Sequence, residues 1–227
     1  SHRHIPQRAL QCARDCFALK DRKSRNEAIL ASCRCRLPVW YRANPDQNDR
    51  RQHPIMNPLD LRQMDAPADW MFPDRWSPRS FRPEPISDEQ LAQLFEALRW
   101  APSSRNEQPW HVIYARSENA LTKCRSLLKE MNQTWASRAP LLLFLFARRC
   151  FAGDGKRNRT AVFDCGAAWM SLALQARKLG LYTHAMGGIH RDAVYETLGV
   201  SSDDFEVLAA IAVGKRDTPD KLPNSLR

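Results

Sequence analysis

Two short stretches carry the residues best suited to chemistry. Ala101 to Trp110 reads APSSRNEQPW, and Arg75 to Phe81 reads RWSPRSF. The first combines two prolines with Ser103, Ser104, Asn106 and Gln108, a stiff turn rich in hydrogen-bonding groups but lacking a strong base. Such a turn suits gripping a flat, polar-edged ligand better than cutting a bond. The second, upstream, places Arg75 and Arg79 on either side of Ser77.

The usual hydrolytic and nucleotide signatures are missing. All eight glycines lie after residue 150, so no glycine-rich phosphate loop precedes the regular body. The sequence holds no GxGxxG, Walker, GxSxG or HExxH pattern. His111, His184 and His190 are isolated from one another and read as core or surface residues. An enzyme with this inventory must borrow its chemistry from a bound cofactor.

The elements that would position these stretches follow from periodicity. Ser87 to Gln90 forms a capping box, and Leu91, Leu94, Phe95 and Leu98 make one helix face that stops at Pro102. His111–Ala115 reads as a strand. Leu121, Cys124, Leu127, Leu128 and Met131 mark a second helix. Leu141–Phe146 is an apolar run suited to a strand covered on both faces. Ala152–Thr160 is a loop, and Val162–Leu179 is a long Ala-rich helix ended by Gly180. Tyr182–Ala185 (strand), Asp192–Leu198 (helix ended by Gly199) and Val207–Val213 (strand) complete an α/β or α+β layered body.

Charge is uneven. The chain has 227 residues and a formal charge of +10. Residues 1–55 carry twelve Lys/Arg against five Asp/Glu, so most of the excess lies outside the body. That placement argues against a nucleic-acid-binding body. No apolar run approaches the 18 residues of a membrane span, and the first residues lack a secretory layout. The expected compartment is a reducing cytoplasm. Seven cysteines then read as free thiols, with Cys124 and Cys165 as small core residues. Cys12, Cys16, Cys33 and Cys35 do not match zinc spacing. Residues 1–55 are expected to be a disordered or non-native basic extension, Met56 being a candidate start, with one domain over residues 56–227.

Four anchors in order give the chain a resemblance to the FMN-dependent nitroreductase family over about residues 70–227. They are RWSPRSF; APSSRNEQPW; Asp164 to Ala168 with Gly180-Leu181 and Met186-Gly187-Gly188; and Val213 to Arg216 with Leu222-Pro223 before Arg227. The resemblance implies an α+β fold with a mostly antiparallel sheet flanked by helices, a homodimer, and one FMN at each of two sites spanning the subunits. It implies that Arg75 contacts the phosphate, Ser77 the phosphate or ribityl region, and Arg79 the N1/C2 edge of the ring. Pro102, Ser103 and Asn106 would reach the partner's FMN, with Gln108 supporting their loop. Met186, Gly187 and Gly188 would bring main chain to the N5/O4 edge, with Asn132 near the ring. Lys215 and Arg227 are candidates for the far side of the phosphate. Relatives continue into an arm around the other subunit, and here that arm is expected to be missing.

The implied activity is NAD(P)H oxidation through flavin N5 to a nitroaromatic, a quinone or a similar small-molecule acceptor, in ping-pong fashion. Neither NADH nor NADPH is favoured, because no ribose-reading acid or 2′-phosphate clamp is identifiable. Trp76, Trp110, Trp135 and Phe151 could shape an open pocket. Rival readings are a flavin-binding sensor without turnover, dehalogenation or flavin breakdown within the same superfamily, and a basic nucleic-acid binder.

Overall fold

The computed structural model describes residues 65–226 and a two-residue strand, Leu30–Ala31. The expected extension and start, the four amino-terminal cysteines and Arg227 otherwise lie outside the described residues.

The strands are β1 (Leu30–Ala31), β2 (Trp110–Ala115), β3 (Leu141–Arg148), β4 (Tyr182–Met186) and β5 (Phe205–Gly214). They form one sheet in the order β1-β2-β3-β5-β4, and every neighbouring pair is antiparallel. The helices are α1 (Met71–Asp74), α2 (Asp88–Arg99), α3 (Glu118–Arg125), α4 (Glu130–Ala136), α5 (Ala161–Lys178) and α6 (Arg191–Leu198). Antiparallel pairing decides between the two layered classes left open by the sequence: the fold is α+β.

The central strand explains the layers. Along β3 successive side chains point to opposite faces. Leu142, Phe144 and Phe146 enter a core with α3, α4 and α6. Leu141, Leu143 and Leu145 enter a second core with α2 and α5. The apolar run is thus covered on both faces, as its composition predicts. Opposite β3, the register slips between Leu145 and Phe146, which pair with Ala209 and Val207. This bulge inverts the parity of β5. Val207 therefore shares a face with Ala210 and Ala212.

Local signals behave as their chemistry requires. The Ser87 hydroxyl accepts from the Gln90 amide at 3.1 Å, and Gln90 Oε1 accepts from the Ser87 N–H at 3.1 Å. Gly199 ends α6 with φ of 65°. One expectation fails. The apolar residues from Leu121 to Met131 belong to two helices, because Leu128 is drawn into a bridge with Ile189 and the chain breaks there. Met131 ends up 69% exposed.

Candidate functional site

Residues 75–81 form a strap across the first half of β4, with a bend at Arg79. Pro78, Ser80 and Phe81 are buried, while Ser77 is half-buried and Arg79 exposed. Arg75 is half-buried, with its Nη1 fully buried, so the two arginines of the Arg-x-Ser-x-Arg motif differ in exposure. Among the described residues Arg79 makes no ion pair.

Each part of the strap is held by a different element. At its start, Asp74 Oδ2 accepts from Arg177 Nε and Nη2 at 3.0 and 2.8 Å. Arg177 also donates to the Leu181 carbonyl at 3.1 Å, and its guanidinium lies 3.7 Å over the Tyr182 ring. Tyr182 meets Trp76 edge-on at 6.4 Å, and Arg216 lies 4.9 Å from the Trp76 ring. In the middle, His184 Nδ1 lies 2.9 Å from the Pro78 carbonyl. At the end, Ser80 donates its hydroxyl to the Thr218 carbonyl at 2.8 Å and accepts from the Asp217 N–H at 3.0 Å. Phe81 bridges to Arg216. Trp135 underlies both, 4.4 Å from His184 and 6.2 Å from Phe81.

The turn after β4 joins the same neighbourhood. Asn132 Nδ2 and the Lys129 N–H both donate to the Gly188 carbonyl, at 2.9 and 3.0 Å. A Cβ at Gly188 would stand 2.6 Å from Asn132 Nδ2, so the Asn132 amide would have to move aside. Gly187 is exposed and has open space around it. Met186 turns its side chain into the core. It can therefore face a ligand only through its backbone. Lys215 is occupied by Glu84 at 2.5 Å, which holds the Glu84 carboxyl below its ordinary pKa. Its neighbour Arg216, which sequence reasoning passed over, is the cation turned toward the strap.

The second stretch lies elsewhere. Arg105, Asn106 and Gln108 have φ of 55°, 54° and 51°. For side chains with a Cβ this is strained backbone, costing about 1 kcal/mol or more each. The loop is braced against that cost. Ser103 Oγ accepts from the Gln108 N–H at 3.0 Å, and Gln108 Nε2 donates to Asn106 Oδ1 at 2.9 Å. Buried Asp164 accepts from the Ser104 N–H at 3.1 Å and from the Thr160 hydroxyl at 3.2 Å. Glu107 Oε1 accepts from the Ala152 N–H, and Arg105 covers the Phe151 ring at 4.6 Å. Pro102 is exposed. Gln108 thus supports the loop from within.

Helix α5 measures the distance between the two stretches. Asp164 holds the loop and Arg177 holds the strap. Thirteen residues apart at 1.5 Å each, these anchors are separated by about 20 Å. One copy of the chain brings Arg75, Ser77, Arg79, Asn132 and Gly188 to one neighbourhood, and Ser103, Asn106 and Gln108 to another.

The remaining candidates are structural. His111 packs 5.1 Å from Phe205, and burial followed by the Arg148 charge lowers its pKa. Burial raises Cys124 to about 11 and Cys165 to about 12, so both are inert core thiols. Trp110 and Trp135 are buried in the two cores, one in each. No group of three or more potential metal ligands occurs among the described residues, and no helix there is long and apolar enough to cross a membrane.

The strap fits a group with an anionic phosphate and a polar-edged ring. It carries Arg75, Ser77 and the exposed Arg79, and the turn at Gly187 beside it has open space. The comparisons agree. The chain matches the nitroreductase family model over residues 73–133 and 120–215. A relative from Archaeoglobus fulgidus, named for NADH dehydrogenase/NAD(P)H nitroreductase activity, is 30% identical over 152 residues, covering 63% of this chain and 82% of its own. FMN reductase (NAD(P)H) of Bacillus subtilis is 35% identical over 91 residues, 40% of this chain and 33% of that protein. A solved oxidoreductase containing FMN is 42% identical with a TM-score of 0.70, covering 75% of this chain and 88% of its own. The chain belongs to the nitroreductase family.

Proposed function

We propose that this chain, an FMN-dependent NAD(P)H oxidoreductase, passes a hydride from the nicotinamide to a small acceptor such as a nitroaromatic or quinone in ping-pong fashion. The cofactor, when bound, supplies the hydride-accepting and hydride-donating atom N5. The protein's part is binding and alignment, which explains a site without a general base. Arg75 and Ser77 hold the phosphate and ribityl chain. Arg79 faces the N1/C2 edge, where its charge favours the reduced, anionic ring. The main chain at Met186, Gly187 and Gly188 lines the opposite edge, with Asn132 bracing that turn. The observation that supports this reading is the exposed Arg79 on the strap, which has no carboxylate partner among the described residues.

The same reading requires a second copy. Pro102, Ser103 and Asn106 lie by the Asp164 end of α5 and the strap by the Arg177 end, about 20 Å apart along the helix. In a homodimer they serve the partner's site. Val162 and Phe163, 50% and 81% exposed on α5, support such an interface. Lys215 and Arg227 remain candidates for the phosphate, Lys215 by exchanging Glu84 for it.

An absorbance scan tests the cofactor. Purified protein should be yellow and should bleach on adding NADH or NADPH. Initial rates at varied nicotinamide and acceptor should give parallel double-reciprocal lines. A colourless protein that FMN does not reconstitute overturns the reading. Phe163→Glu should yield a monomer with weakened FMN binding but near-normal thermal stability; an intact, fully loaded dimer would remove the interface.

A further inference from the structure

We infer that His184 is a positioning residue for the cofactor strap, and that its ring N–H, donated to the Pro78 carbonyl, sets where Ser77 and Arg79 stand. The inference rests on the flavin reading above and extends it to a residue outside the motif.

Pro78 lies between the two residues that matter. Proline has no N–H, so its backbone offers only a carbonyl for anchorage. That carbonyl is buried and can only accept, so the proton of His184 must be on Nδ1. Burial, helped by the neighbouring Arg79 charge, holds the ring's pKa below the ordinary histidine value even though the Pro78 hydrogen bond pulls it up. The ring is therefore neutral and adds no second cation beside Arg79. Its orientation comes from Trp135, which lies 4.4 Å away at 33° and is itself stacked on Phe81 at the strap's end. The strap's start is fixed by Arg177 and its end by the chain after β5. Between those points His184 grips the residue that Ser77 and Arg79 flank. Losing that grip lets both swing, and a displacement of 1 Å matters when a guanidinium must meet a ring edge.

Two substitutions separate the hydrogen bond from the packing. His184→Phe keeps a ring on Trp135 but removes the donor. His184→Asn gives up the ring but keeps an N–H near the Nδ1 position. FMN affinity of the full chain is read by fluorescence quenching during titration of FMN-stripped protein, and the bound flavin's midpoint potential by dye equilibration. His184→Phe should weaken FMN binding about tenfold, the weight of one buried hydrogen bond, and shift the potential to more negative values as Arg79 loses its place. His184→Asn should stay within about twofold of wild type in affinity, since it restores the donor. A Phe variant with wild-type affinity and potential overturns the inference and leaves the flavin reading standing. If the Phe variant does not fold, the Asn variant decides: retained affinity supports the role, and a tenfold loss overturns it. Wild-type protein that binds no FMN overturns the flavin reading and this inference together.

Discussion

Asp74→Ala probes the anchor on which the strap begins. Arg177 is only 5% exposed and its partner's side chain 13%. Removing the carboxylate cancels the hydrogen bonds at 2.8 and 3.0 Å and strands a buried guanidinium. Breaking one side of a buried ion pair costs about 3–5 kcal/mol. The low end applies here, because Arg177 keeps the Leu181 carbonyl and the Tyr182 ring. For a domain of this size about 3 kcal/mol corresponds to a fall in Tm of roughly 6–12 °C. The measurement is calorimetry of FMN-free protein, so that ligand binding does not mask the change. Adding Arg177→Met should recover part of the loss, since no charge then stays buried unpaired. A single variant melting within about 2 °C of wild type, or a double variant no better than the single one, refutes the reasoning.

Gly214→Ala should destabilise by about 2–3 kcal/mol in urea titration, because the new methyl would stand 2.8 Å from Pro140 Cδ and 3.2 Å from Phe81 Cδ1; an unchanged midpoint would mean that Pro140 and Phe81 shift freely. Among the three described thiols, brief iodoacetamide treatment of folded protein should label exposed Cys150 and spare Cys124 and Cys165, as peptide mass spectrometry would reveal. Burial keeps the pKa values of His111 and His184 below the usual 6.5 in the folded state. The unfolded chain therefore takes up protons first, and their contribution to stability, full above 6.5, falls as pH drops below it. His111→Gln combined with His184→Gln should flatten the decline in unfolding free energy between about pH 6.5 and 5.5; an unaltered slope would exclude these rings as its source.

Much of the fold was legible because its signals are local. A capping box, a six-residue apolar run and glycines beyond helix ends each report on a few neighbouring residues. What failed was non-local. The spacing from Leu121 to Met131 fits one helix as well as two, and only the bridge between Leu128 and Ile189 selects the break. The bulge on β5 escaped for a related reason. A run as apolar as Val207–Val213 looks alike in either parity, so nothing in it marks where the register slips against β3.

The site divides along the same line. Arg75, Ser77 and Arg79 could be grouped from sequence because they stand together in one short motif that resembles the family's. His184, Arg216 and Asp164 could not, since each gains its role from contacts 60 to 140 residues away. An isolated histidine on a short strand looks the same whether or not a proline carbonyl lies over it. The motif supplies the strap's side chains, while distant residues decide whether they are held still. Loop and strap also share a support: α5 carries Asp164 near one end and Arg177 near the other. Any tilt of this helix moves both. In the proposed dimer, the residue before Asp164 is the exposed Phe163, so packing between the copies would act directly on the turn that braces the trans half of the site.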